Sequence, residues 1–591
     1  MLISGSLHAT ASRPAHSRHA RLLETIMPKI QETTTRTTSG EAVVHRATLR
    51  TMNAQFEMRM SCLICLIVLC VCFLQSGRVE AQESSAAAPP MKGLFCNIDD
   101  SVFFWNRDIP EGKAGELIDQ YVDVMAGTGT TVLLCCTNAR RTNYRSAVWD
   151  AYWDGYNPSG PDNQPFLAPV PRDEVAGIRK WIGNTLKVHQ QGIDYPGRMI
   201  ERCRHDGISP WITLRMNDCH YNNIPDHPFH GSFWKKNPQF ARKNAPGYFA
   251  TCLDYAHLEV RDFFKALIVE TLDRYDIDGL ELDFMRECFL FSAGKEPEGA
   301  AILTAWMREV HQLVKDAATK RGHPIHLGVR APSRPETASG LGIDAVAWAK
   351  EGLIDMLVVT PRWATLEFDM PLEQWRSLLG NANVTLAGGL EILYRPLPSG
   401  SASPVTPELA KGAAVSVLSR GADAVYLFNY FQDADPNARW SVPVYQKTLK
   451  TMTSLDALLK QPRTIGITYR DITAPGETYQ APLPAKGKEI VLPMRLGPIP
   501  DDRGRCELLL EFAPLDGRPI DTPIVLVNGK ACEVCSDATA GNGHRSMSFH
   551  VPIATLAGAK VQEIKIAGKD AAATAYQVDR MEMSLQESGD K

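Results

Sequence analysis

The sequence lacks a surplus of basic residues. Its 63 Lys and Arg stand against 67 Asp and Glu, a formal net charge of -4, whereas a surface built to hold nucleic acid needs the opposite balance. There is no long block of like charge. It has no G-x-G-x-x-G after its first apolar run, which weakens a dinucleotide-binding reading. No His-x-His stands with clustered carboxylates, the usual mark of a metal-dependent hydrolase. The 14 cysteines are spread without paired spacing apart from Cys532 and Cys535, so they describe neither a disulfide framework nor a zinc site. Most read as small core residues, with Cys532 and Cys535 as a candidate disulfide. No cofactor and no metal are expected.

What is present is the composition of a large globular protein: 591 residues, 44% hydrophobic and 22% charged, enough for more than one domain. Residues 1–60 are rich in Ser, Thr, His and Arg without apolar periodicity, and read as disordered or as an extension ahead of a true start at Met52, Met58 or Met60. Residues 58–81, within "MRMSCLICLIVLCVCFLQSGRVEAQ", join a positive Arg59, an apolar run from Cys62 to Leu74 and a small-residue cleavage site ending at Ala81. That is the pattern of a secretory signal peptide. The run falls short of the roughly 20 residues of a membrane span, so the expectation is an exported chain with no span after cleavage. An uncleaved anchor is the alternative. Residues 82–90 read as a linker.

From residue 91 apolar runs alternate with amphipathic segments eight times. The strand candidates are 93–98, 130–137, 209–216, 278–284, 325–331, 354–360, 384–392 and 424–431. Eight strand–helix units predict a (β/α)8 barrel over residues 91–462. From residue 463 to 591 short alternating strands separated by "DDRG", "LDGRP" and "VNGK" predict an accessory β-sandwich.

Catalytic groups of such a barrel sit at the C-terminal strand ends. In "DGLELDFMRE" the period of two turns Leu280, Leu282 and Phe284 to the helices and Gly279, Glu281 and Asp283 to the interior. Buried carboxylates need a partner or a task. The structural alternatives are ion pairs of Glu281 with Arg330 or Arg215, and of Glu391 with Arg395 or Arg420. Glu391 ends the seventh strand behind Gly388 and Gly389, whose missing side chains would leave room for a ligand. Asp283 and Glu391, with Glu281, are therefore the catalytic candidates for cleaving a glycosidic bond with two carboxylates. Asn97 and Asp99, the cluster Arg215, Asn217, Asp218 and His220, then Arg330, Arg362, Trp363, Asn429 and Tyr430 are expected to bind the carbohydrate, since sugar faces stack on rings and hydroxyls need dense donors and acceptors.

"DGLELDFM" resembles the Asp-Gly-x-x-x-Asp signature of barrel glycoside hydrolases and is similar to the chitinase pattern. In chitinases a catalytic Glu follows two positions on, where this chain has Met285, so that mechanism is not carried over. The overall layout resembles the glycosyl-hydrolase-like barrel families. Alpha-galactosidase-like barrels are similar in placing a nucleophilic Asp at the end of strand four, which would map to Asp283, but their strand-six acid has no match in "VVTPRWA". Enzymes with glutamates at strands four and seven agree only at Glu391. Glu287 and Asp218 stay open as further acids. Three rivals remain: a metal-dependent barrel in which Asp99, Asp218, His220 and Asp283 hold a cation; a phosphate-binding barrel, against which structural glycines at 388 and 389 are the better account; and a secreted carbohydrate-binding protein whose barrel has lost its acid.

Overall fold

The computed structural model describes residues 90–586 apart from 100, 101, 106, 246, 431–439, 500–503, 516–518, 557–560 and 570–574. The leading extension, the signal and most of the linker lie outside the described residues.

Eight parallel strands close a barrel: β1 (Gly93–Ile98), β2 (Thr130–Cys136), β3 (Ser209–Arg215), β4 (Gly279–Asp283), β5 (His326–Pro332), β6 (Met356–Thr360), β7 (Thr385–Glu391) and β8 (Ala424–Phe428), with β8 pairing back to β1. Each lies at its expected position, with ends within three residues of those expected. This is the barrel that the glycosyl-hydrolase resemblance implied.

The helices form for local reasons. In Glu296–Arg321 the buried Leu303, Trp306, Met307, Val310 and Val314 line one stripe. Pro297 and two glutamates open that helix, Lys320 and Arg321 close it, and Gly322 caps it at φ 79°.

Inside the barrel, Trp211, Met356, Tyr426 and Phe428 belong to the apolar filling. Gly279 is required there, because a Cβ at that position would stand 2.2 Å from the Trp211 ring. Leu280, Leu282 and Phe284 pack with the helical shell, so the period-two reading of strand four holds. The two glycines of β7 leave no room for a ligand, contrary to expectation. A Cβ on Gly388 would meet Val417 at 2.5 Å and one on Gly389 would meet Thr360 at 2.4 Å. They permit close packing of the helix Pro407–Ser419 outside and of β6 beside them.

The C-terminal region forms two antiparallel sheets. One runs Arg463–Gly466, Tyr576–Gln586, Arg505–Ala513, Arg545–Val551, Glu533–Thr539, with Ala485–Gly487 also on Tyr576–Gln586; the other runs Glu489–Met494, Gln562–Ala567, Ile524–Val527, Lys530–Ala531. Inward residues alternate with exposed ones along Glu489–Met494 and Arg505–Ala513. "VNGK" forms the two-residue turn its Asn-Gly suggests, with Asn528 and Gly529 at φ 49° and 77°. Cys532 and Cys535 are free thiols, which corrects the candidate disulfide. Three residues along an extended chain separate them by about 10 Å, beyond the roughly 7 Å that a disulfide can span. The helix Pro407–Ser419 approaches Arg463–Gly466 so closely that a Cβ on Gly412 would overlap the Thr464 carbonyl at 1.9 Å. Barrel and sheets belong to one compact unit from residue 86 onward. Among the described residues no helix is long and apolar enough to cross a membrane.

Candidate active site

The C-terminal barrel end is a lattice of carboxylates threaded by arginines. Asp283, the last residue of β4, accepts from the backbone N–H groups of Met285 (2.9 Å) and Arg286 (3.0 Å) and from Arg330 Nη1 on β5 (2.7 Å). From β7, Glu391 brings Oε1 to 3.7 Å from the other terminal nitrogen of Arg330. One guanidinium thus faces both principal candidates. Its carbon lies 3.9 Å from the centre of the Phe428 ring, a cation–π contact. The carboxylates are enclosed: Asp283 is 2% exposed and Glu391 1%.

Their surroundings differ. Asp283 is held by three donors. Burial holds the Glu391 carboxyl well above the usual carboxylate range, with Asp471 and Asp283 adding to the rise against Arg330 and Arg286. Glu391 Oε1 is buried without a hydrogen-bond partner, as are Arg330 Nη2, Arg286 Nε, Asn97 Oδ1 and Asn429 Oδ1. Such a set of donors and acceptors suits a polyhydroxylated ligand, because buried polar groups otherwise carry a cost of about 1–3 kcal/mol each.

One layer below, Glu281 accepts from Thr213 Oγ1 (2.7 Å), Tyr426 OH (2.9 Å) and Asn97 Nδ2 (3.2 Å) through the same oxygen. Neither Arg330 nor Arg215 pairs with it. Burial, then the Asp283 charge, push Glu281 up to about 7 against the opposing pull of Arg330 and its hydrogen bonds. Because the folded value lies above the ordinary 4.5, the group's contribution to stability is present below pH 4.5 and is lost as pH rises through 7. Relative to Glu281→Gln, the native protein is therefore expected to lose roughly 3 kcal/mol between those limits. Urea unfolding of both proteins across that range checks this. A difference that stays constant with pH would show that Glu281 does not titrate there.

On the other side of the mouth, Arg215 pairs with Asp99 and with Asp218 Oδ2 (3.1 Å). Burial alone would raise Asp218, but the hydrogen-bonded His220 imidazole, then Arg215 and Arg140, outweigh it and hold it well below the usual range. His220 Nδ1 faces Asp218 at 3.0 Å and its Nε2 lies 3.3 Å from Arg286 Nη2. Asn429, at φ 59°, reaches Asp99 Oδ2 with its amide (3.4 Å).

The structure thus brings Asn97, Asp99, Arg215, Asp218, His220, Glu281, Asp283, Arg330, Glu391 and Asn429 into one network. Others it assigns elsewhere. Asn217 is a loop strut, exchanging two hydrogen bonds with the Leu253 backbone. Tyr430 donates to the Glu391 carbonyl. Arg362 is committed to the buried Glu287, which also accepts from Tyr248 (3.0 Å), so Glu287 is the anion of a structural pair. Trp363 stays half-buried, and its backbone N–H donates to Asp471. Met285 turns its side chain into the shell core, so the chitinase acid position does not face the mouth. Arg420 pairs with Glu373 and Asp369 on the outer surface, away from Glu391. The carboxylates proposed for a cation carry arginines: Asp99 and Asp218 share Arg215, and Asp283 takes Arg330. Among the described residues no group of three or more His, Cys, Asp or Glu is arranged to hold a metal ion.

Sequence reasoning missed four contributors. Tyr426 and Phe428 follow from applying the period of two to β8 as it was applied to β4. Arg286 stands three residues after Asp283. Asp471 gives no local signal: it lies beyond the barrel, yet its carboxylate accepts from three successive backbone N–H groups, those of Arg362, Trp363 and Ala364 (2.9, 2.9 and 2.7 Å).

Fold and site together define a parallel-barrel protein with paired acids at its mouth. No family model matches the sequence, and no curated protein matches it. Solved structures that align with it include the glycoside hydrolase domain of PgaB (BpsB) from Bordetella bronchiseptica, at 11% identity and TM-score 0.36 over 62% of this chain and 99% of that one. Others are an alpha-L-fucosidase from Paenibacillus thiaminolyticus, at 13% and 0.31 over 81% and 96%, and a GH29 alpha-L-fucosidase from Bacteroides thetaiotaomicron, at 12% and 0.32 over 82% and 94%. At this level of similarity no residue, substrate or reaction passes from them to this chain.

Proposed function

We propose that the protein is an exported glycoside hydrolase acting on a polysaccharide or oligosaccharide. The observation that carries this reading is the contrast of two acids on one arginine: Asp283, oriented by three donors, and Glu391, held above the usual carboxylate range by burial. Glu391 would protonate the leaving glycosidic oxygen, while Asp283 acts as nucleophile or as base toward water. Arg330 holds the two in register, and Asn97, Asn429 and Arg286 meet hydroxyls. Export rests on residues 58–81.

The test is hydrolysis of a panel of polysaccharides and aryl glycosides, with the anomeric configuration of the first product read by NMR. Release of reducing ends that is abolished in Asp283→Asn supports the reading. The enclosure of both acids favours a second reading, a carbohydrate-binding protein on an inactive barrel, and glycan binding without turnover across the panel would select it.

Asp471 offers a separate check on the acid. Its charge helps to hold Glu391 up, so Asp471→Asn is expected to move the alkaline limb of the kcat profile to lower pH. If kcat falls but the limb stays in place, Asp471 serves only to hold the loop.

A further inference from the structure

Two struts hold the loop after β3 against the segment that precedes the helix Leu258–Arg274. Asn217 donates to the Leu253 carbonyl (3.0 Å) and accepts from its N–H (2.9 Å). Arg140 Nε donates to the Asp218 carbonyl (2.8 Å), and its Nη2 donates to the Thr251 hydroxyl (2.8 Å). Asp218 and Thr251 immediately precede Cys219 and Cys252, and Leu253 immediately follows Cys252. The two cysteines are therefore held between paired struts. Their sulfurs lie 3.1 Å apart, and both residues are 0% exposed.

As thiols the pair shares at most one weak S–H hydrogen bond. A covalent bond needs the sulfurs to close by about 1 Å. We propose that Cys219 and Cys252 form a disulfide in the mature protein, a covalent tie between the loop that carries Asp218 and His220 and the segment that carries Tyr248 and Thr251. The bond closes a chain loop spanning 33 positions, long enough to restrict the unfolded chain substantially.

The chemistry balances with a disulfide acceptor such as glutathione disulfide. The two thiols give up two protons and two electrons, the Cys219–Cys252 bond forms through a mixed disulfide, and the acceptor's S–S bond is reduced to two thiols. Export would bring the chain to a compartment where such acceptors persist. Burial dictates that the bond forms while the chain folds and is afterwards shielded. The tie stands apart from the hydrolase reading, because its readout is covalent.

The full chain, folded with glutathione disulfide as oxidant, is unfolded without reductant, alkylated, digested and mapped by mass spectrometry. The expected result is one linked species joining the Cys219 and Cys252 peptides, two hydrogens lighter than the pair and split by reduction. Recovery of both peptides as alkylated thiols overturns the proposal. Thermal melts give a second readout. Reduction in denaturant followed by refolding with reductant is expected to lower the melting temperature of the native sequence by several degrees. Cys219→Ser/Cys252→Ser should show no such response, and an equal fall in that double variant would also overturn the proposal.

Discussion

Replacing Glu391 with Gln is expected to lower kcat on a natural glycan by about 10³-fold, as is replacing Asp283 with Asn. A loss of that size is about 4 kcal/mol of barrier, the scale set by removing a proton donor or a nucleophile rather than by a lost hydroxyl contact. Both substitutions keep side-chain shape, and in Asp283→Asn the remaining carbonyl oxygen could still accept from the Met285 and Arg286 amides, so the fold should persist. The two variants should then part company. An aryl glycoside whose leaving group departs without a proton bypasses Glu391, so Glu391→Gln should recover most of its rate there while Asp283→Asn stays slow. Steady-state kinetics on both substrates, with circular dichroism as the folding control, decide it. Either variant within tenfold of the native rate on the natural glycan would sink the assignment, and recovery of Asp283→Asn but not of Glu391→Gln on the activated substrate would exchange the roles.

Arg330→Leu is expected to cost about 3–5 kcal/mol of stability, because it leaves the Asp283 carboxylate buried with no cation beside it. The size follows from enclosure: Arg330 is 0% exposed, so no water replaces it. The denaturant midpoint reads the loss. Adding Asp283→Asn and Glu391→Gln to Arg330→Leu should return most of it, since the uncompensated charge of Asp283 goes with them. A triple variant no more stable than Arg330→Leu alone would show that the arginine acts through its bulk against Phe428.

The barrel was legible because each strand is an apolar run bounded by turn residues and followed by a helical stripe, and the same alternation fixed which side of β4 faces inward. The pairing of charges was not. Glu281 and Arg330 both read as inward groups, yet register sets Arg330 beside Asp283 and leaves Glu281 to Thr213 and Tyr426. Partner choice of this kind depends on side-chain length and height within the barrel, which periodicity does not carry. The glycines of β7 misled for a related reason: the pattern marks absent side chains without saying whether protein or ligand fills the space. The exposed edge strand Glu533–Thr539 escaped notice because it has no buried face to produce an alternation. Contacts between distant loops, such as Cys219 with Cys252, leave no trace in spacing at all.

Asp471 gives the protein a fixed order of completion. All eight barrel strands have been synthesised by residue 428, but the three amides after β6 have no acceptor until the chain has run more than forty residues further and turned back. The mouth is therefore finished by the tail. During export led by the N-terminus it would be the last part to assemble, and a barrel cut from its C-terminal sheets for use in a chimera would arrive with Arg362, Trp363 and Ala364 untethered at its mouth.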